Sequence, residues 1–107
     1  MTHALLDIYR KVISQKLTRF EIARIIGVRA LQLSMGAPPL IDLSNIEIRD
    51  PVYIATIEII NGILPMSILR PGEKGGYELV PVNRLLTPEV REYLNSILES
   101  WNISRRV

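Results

Sequence analysis

Hydrophobic and polar positions divide this chain into a few amphipathic stretches separated by breaks rich in glycine and proline. Ala4 to Ile13 places Leu5, Ile8, Tyr9 and Val12 on one face at helical spacing, which predicts a short amphipathic helix. The dominant element lies within Leu17 to Ile41. Thr18 suits an N-cap, Glu21 three residues on completes a capping box, and Leu17 and Ile22 take the two positions of a hydrophobic staple. Gly36 and the following Ala37, Pro38 and Pro39 stop this helix, because glycine accepts a left-handed cap and proline cannot continue. Leu40 to Ile48 reads as a connector with a short extended piece at Ile46 to Ile48. Asp50 and Pro51 open a second helix as N-cap and first-turn proline, and Asn61-Gly62 ends it. Met66 to Leu69 and Tyr77 to Val82 read as two strands around the turn-forming Pro71 to Gly76, a small hairpin. Thr87-Pro88-Glu89 opens a last helix whose Val90, Tyr93, Leu94, Ile97, Leu98 and Trp101 form one apolar stripe.

The main helix carries more apolar surface than one neighbour can cover. At about 100° per residue, Phe20 to Met35 resolves into sectors. A narrow polar sector collects Glu21, Arg24, Arg29 and Gln32. One apolar sector holds Ile22, Ile26 and Leu33, and another holds Phe20, Leu31 and Met35. Between them runs a strip of small residues, Ala23, Gly27, Ala30 and Ser34, each three or four positions from the next. A mid-helix glycine costs roughly 1 kcal/mol relative to alanine, so close approach of another backbone is its usual reason. The second helix is one occupant of that strip, and a partner chain is the other. An ordinary surface helix needs an apolar arc of only about 100°. Two large sectors therefore demand two covers: the second helix for one, and the hairpin or another chain for the other. Leucine at Gly27 or Ala30 is expected to overpack the seam, at about 1–3 kcal/mol.

Arg24 and Arg29 border these apolar zones. By themselves they read as a solvated polar face, with Arg24 in reach of Glu21. The functional alternative is bidentate recognition of a partner carboxylate or carbonyl. On that alternative Arg29→Ala weakens association and leaves the melting of the isolated chain little changed.

Composition narrows the classes of function. The 107 residues suit one domain, and 48% hydrophobic with 22% charged residues is a globular balance. The absence of cysteine excludes disulfides and thiolate metal sites and fits a cytoplasmic setting. No run approaches the length of a membrane span, and the first residues lack a signal-peptide pattern. A net charge of +2 is too small to argue for direct nucleic-acid binding.

Catalytic constellations are missing. His3 is the sole histidine, which argues against acid–base or metal chemistry built on histidine. Asp42, Glu47 and Asp50 cluster in sequence, but Asp50 is accounted for as a cap. The glycines of the hairpin turn lack phosphate-loop spacing and precede no helix. The Gly36–Asp50 connector is too long for a DNA-binding helix-turn-helix. No catalytic residue, cofactor or metal ligand is therefore expected.

One family shares these landmarks. The run Leu17-Thr18-Arg19-Phe20-Glu21-Ile22-Ala23-Arg24, continuing through Gly27, Arg29-Ala30-Leu31-Gln32, Met35 and Ala37-Pro38, closely resembles the omega-type subunit of cellular RNA polymerases, in the archaeal form called subunit K. A second block, Asp50-Pro51, Ile54-Ala55, Gly62, Pro65 and Ile68, matches in order and spacing. The resemblance implies an α+β fold: an omega-like helical core over 17–82, a small antiparallel hairpin, an N-terminal segment over 1–16 and an additional C-terminal helix within 83–107. It also implies a non-catalytic subunit of DNA-directed RNA polymerase. Such a subunit docks on the largest subunit and supports its folding and assembly, with DNA met only through the complex.

Family members place Thr18, Glu21, Arg24, Gly27, Arg29, Ala30 and Gln32 in the docking helix. Phe20, Ala23 and Arg70 complete the candidate partner-contacting residues. Two departures stand out. Leu69 replaces the first of a usual arginine pair, leaving Arg70, and the last helix has no counterpart in the archaeal form. That helix either folds back on the domain or makes a contact of its own. The sequence shows no acidic tail like that of eukaryotic members, which favours the archaeal form. A stand-alone homodimeric module and a nucleic-acid-binding regulator are the alternative functions.

Overall fold

The computed structural model describes residues 4–5, 17–72 and 75–106. The helix expected over Ala4 to Ile13 lies almost wholly outside them. The fold is α+β. Helix α1 (Arg19–Ser34) is followed by α2 (Pro51–Ile60), strands β1 (Ser67–Pro71) and β2 (Tyr77–Pro81), a 3-10 turn (Val82–Leu85) and α3 (Pro88–Arg106).

Each helix begins where its capping chemistry dictates. Thr18 accepts the Glu21 N–H at 3.2 Å while the Glu21 carboxylate accepts the Thr18 N–H at 2.9 Å, a complete capping box. Leu17 and Ile22 are both buried in the core, as a hydrophobic staple requires. Beyond the C-cap Met35, Gly36 takes a φ of 103°, a left-handed value that turns the chain out of the helix. Asp50 caps α2 by accepting the Val52 N–H at 2.8 Å ahead of Pro51. Thr87 does the same for α3, accepting the Val90 N–H at 3.3 Å.

One core cluster joins these elements. Ile22, Ile25 and Ile26 of α1 meet Ala55 and Ile59 of α2, Leu64, the 3-10 turn residues Val82 and Leu85, and Val90 and Leu94 of α3. The hairpin is antiparallel in the register Ser67↔Pro81, Leu69↔Leu79, Pro71↔Tyr77, and among the described residues the sheet has these two strands. The extended piece expected at Ile46 to Ile48 joins no sheet. Those residues follow a turn closed by the Ile46 N–H on the Leu43 carbonyl.

The C-terminal helix folds back on the domain. Its stripe supplies Val90 and Leu94 to the core, with Tyr93 and Ile97 packed against it. Trp101 meets Tyr53 of α2 edge to face, with ring centroids 6.1 Å apart, and the Arg19 guanidinium lies 5.0 Å from the centre of the Tyr93 ring. Arg91 donates to the Ile60 carbonyl at the end of α2. The stripe of α3 is thus used inside the chain, and it leaves α1 half covered.

Candidate partner-docking surface

Arginine at position 29 sits where α1 crosses α2, and it is buried rather than solvated. Its Nε donates to Glu58 Oε1 at 2.6 Å and its Nη2 to Glu58 Oε2 at 3.0 Å, a two-pronged ion pair with a carboxylate of 0% exposure. The remaining donors are also used. Nη1 donates to the Gln32 side chain at 3.1 Å and Nη2 to the Pro38 carbonyl at 3.0 Å. Glu58 accepts a further bond from the Leu40 N–H at 2.7 Å. The Glu58 hydrogen bonds hold the Arg29 guanidinium even more firmly protonated than usual, against the opposing effect of burial. This corrects both readings of Arg29, as a solvated side chain and as a receptor for a partner's carboxylate. Its carboxylate is supplied within the chain, by a lone acid in the otherwise apolar α2.

A second ion pair joins α1 to the hairpin. Arg70 is buried and grips Glu21 with Nη2 to Oε1 at 2.6 Å and Nε to Oε2 at 3.0 Å. Glu21 therefore serves the capping box and the strand together, and it answers Arg70 rather than Arg24. Partial burial pushes its carboxyl up, but the bonds from Arg70 and the Thr18 N–H outweigh this and leave it below the usual value. The neighbouring Leu69 points to the other side of the strand and is 62% exposed.

The candidate residues thus fall into two groups. Thr18, Glu21, Arg29, Ala30 and Arg70 face inward or are engaged within the chain. Phe20, Ala23, Arg24 and Gly27 are exposed on the outer side of α1, while Gln32, also exposed, is engaged by Arg29 through its side-chain oxygen. The sequence list omitted three members of that surface. Val28, Leu31 and Met35 are 48%, 60% and 79% exposed, beside Phe20 at 85%. Leu31 and Met35 stand with Phe20 in the second apolar sector of the wheel, whereas Val28 is in none of its sectors.

The seam expected over the small residues is only partly real. Ala30 is buried, but Ala23, Gly27 and Ser34 are exposed. A Cβ built on Gly27 meets nothing within 4 Å. Leucine at Gly27 therefore has no seam within the described residues to overpack, whereas leucine at Ala30 does.

Nothing among the described residues resembles a reaction centre. No group of three or more histidine, cysteine, aspartate or glutamate side chains converges there, and no described helix is long and apolar enough to cross a membrane. One open concavity of about 230 Å³, bordered by Asn45, Glu47, Tyr53 and Asn102 among others, holds no nucleophile–base pair.

Comparison with known proteins identifies the family of the chain. A family model described as RNA polymerase Rpb6 matches residues 11–66, which include α1, the connector and α2. The chain belongs to the RNA polymerase Rpb6 family. Among its relatives is the DNA-directed RNA polymerase subunit Rpo6 of Sulfolobus acidocaldarius, 48% identical over 79 residues, which span 74% of this chain and 89% of the relative. The Rpo6 subunits of Aeropyrum pernix and Thermofilum pendens are 51% and 48% identical over 80 and 75 residues, covering 75% and 69% of this chain and 89% and 91% of theirs. The resemblance to the archaeal polymerase subunit therefore holds. The Rpb6 match ends at Met66, one residue before β1, so its helical core is the α1–α2 pair locked by Arg29 and Glu58.

The geometry reverses the expectation for Arg29. Arg29→Ala is expected to destabilise the isolated chain by about 3–5 kcal/mol, because it leaves the Glu58 carboxylate buried and uncompensated. Chemical denaturation measures this; an unchanged midpoint would make the pair dispensable. For Glu21, a lowered native pKa means that its stabilising contribution is complete above the ordinary value of 4.5 and fades as pH falls through the native pKa. Wild-type stability should therefore decline on acidification below about pH 4.5, and Glu21→Gln should flatten that part of the profile.

Proposed function

We propose that this Rpb6-family chain is a non-catalytic, cytoplasmic subunit of DNA-directed RNA polymerase that docks on the largest subunit through the outer side of α1 and supports its folding and assembly. One observation carries the reading: half of α1 is apolar and uncovered by any described residue. Phe20, Leu31, Met35 and Val28 form its large members, with Ala23, Gly27 and Ser34 as a low border over which a partner's backbone can approach. A monomer gains nothing from exposing such a contiguous apolar surface, and patches of this kind mark protein interaction sites. The single charge on it is Arg24, a residue type enriched at interfaces.

The same arc argues against a nucleic-acid-binding regulator. Sequence-independent affinity for nucleic acid comes from several cations facing phosphates, and one arginine among apolar side chains does not supply them. DNA is then met only through the assembled enzyme. Turnover belongs to the large subunits, and this chain takes no small-molecule substrate and no membrane.

Reconstitution with polymerase prepared without this subunit tests the reading. Phe20→Ser with Leu31→Ser should lower its affinity for that enzyme by at least about tenfold while leaving the melting of the free chain nearly unchanged, since both side chains are exposed. Gly27→Ala should separate the two properties. It should stabilise the free helix by about 0.5–1 kcal/mol and weaken docking where the partner's backbone lies close. Full incorporation of the serine variant would overturn the proposal. If the wild-type chain instead forms a concentration-dependent dimer by sedimentation, and that dimer is what the serine variant loses, the surface belongs to a second copy.

A further inference from the structure

The β-hairpin carries apolar side chains on both faces, and the chain packs only one of them against its core. Alternate pairs in the ladder point the same way. Ile68 and Val80 pack against the core, and Arg70 turns inward to Glu21. The intervening pairs set Leu69, Tyr77 and Leu79 outward, 62%, 73% and 70% exposed, with Ser67 and Pro71 beside them. None of these outward side chains is charged. An antiparallel ribbon with one face on a core ordinarily shows polar residues on the other, and exposed strands are ordinarily guarded by charge. Here the one exposed charge of the two strands, Glu78, pairs with Arg70 across the ladder and so belongs to the other face, leaving the outer face without charge.

We infer that the outer face of the hairpin is a second point of contact on the polymerase, seated against an uncharged, apolar protein surface that adjoins the one receiving α1. The inference rests on the docking reading proposed above. Three features select this occupant. A face without lysine or arginine has nothing to set against phosphates, so nucleic acid does not fit. Its area is also small. Leu69, Pro71, Tyr77 and Leu79 together offer roughly 400–500 Å², well short of the ~800 Å² that each partner brings to a stable interface. A second copy docked here alone would not hold, so the face extends an interface made elsewhere.

The third feature says where that interface is. Arg70 clamps β1 to Glu21 in the first turn of α1 at 2.6 and 3.0 Å, and Glu21 is the chain neighbour of Phe20, the most exposed of the large apolar side chains of α1. The ion pair thus holds the ribbon against the first turn of α1, the turn in which Phe20 is exposed. Leu69 and Arg70 then divide the work of adjoining positions: the arginine fastens the strand inward and the leucine faces the partner.

The test uses the full-length chain and polymerase assembled without it. Leu69→Thr with Leu79→Thr keeps strand-forming, β-branched side chains and removes most of the apolar area. The variant should melt within about 3 °C of the wild type and bind the enzyme at least about tenfold more weakly, with Phe20→Ser/Leu31→Ser measured alongside. If the helix variant loses affinity and the hairpin variant binds like wild type, the hairpin inference is overturned and the docking reading stands. If neither variant loses affinity, both fall. Should the hairpin variant melt far lower, Leu69 and Leu79 are structural and the inference is again overturned. Loss of self-association with unchanged polymerase binding would assign the face to a second copy, against the proposal.

Discussion

The Arg29–Glu58 ion pair fixes how α1 is rotated, and the rest of the molecular surface follows from that angle. Arg29 lies about half a turn around the helix from Phe20 and Leu31. A carboxylate at 0% exposure is costly to bury without hydrogen-bond donors around it, and here they are two guanidinium nitrogens and the Leu40 N–H. Rolling α1 toward burial of Phe20 would pull Arg29 off Glu58 and strand that charge. Hydrophobic packing alone offers no such preference, because α1 has two apolar sectors of comparable size. The buried pair acts as the registry device that chooses between them, a role well suited to buried ions, whose net contribution to stability is modest.

The same choice orders the polar chemistry of the chain. Arg29 also holds the Pro38 carbonyl and Glu58 the Leu40 N–H, so the break after α1 is tied down on both sides of Pro39. Glu21 closes the capping box and receives Arg70, joining the hairpin to the start of the helix. No buried side-chain nitrogen or oxygen among the described residues lacks a hydrogen-bond partner. Two ion pairs therefore face inward, while the outward sides of α1 and of the hairpin are largely apolar. A monomer gains nothing from that inversion, whereas a chain whose outer surface is completed by a larger assembly does.

Much of this fold was legible because local signals and global packing agree. The Thr18–Glu21 box, the Gly36 stop, the Asp50-Pro51 start and the stripe of α3 each act within a few residues, and each stands where the pattern placed it. The surplus apolar arc of the main helix was equally visible, as was its division into sectors. What the pattern could not give was the partner of each charge. Arg29 and Glu58 are 29 positions apart and Glu21 and Arg70 are 49, distances at which no helical or strand period carries information. For that reason Arg29 read as an interface residue and Leu31 and Met35 as an undecided sector. One clue lay in the sequence: Glu58 is the only charged residue of the helix Pro51–Ile60, flanked by isoleucines, and such an acid needs a cation, which α1 supplies.

The central claim is that the outer side of α1 is covered by the polymerase. Hydroxyl-radical footprinting reads this directly, since methionine and aromatic side chains oxidise readily where water reaches them, and Phe20 and Met35 are 85% and 79% exposed in the free chain. In the assembled enzyme, oxidation at Phe20 and Met35 should fall sharply, while Glu99, exposed on α3, keeps its surroundings. Undiminished oxidation of both residues within intact polymerase would contradict the account.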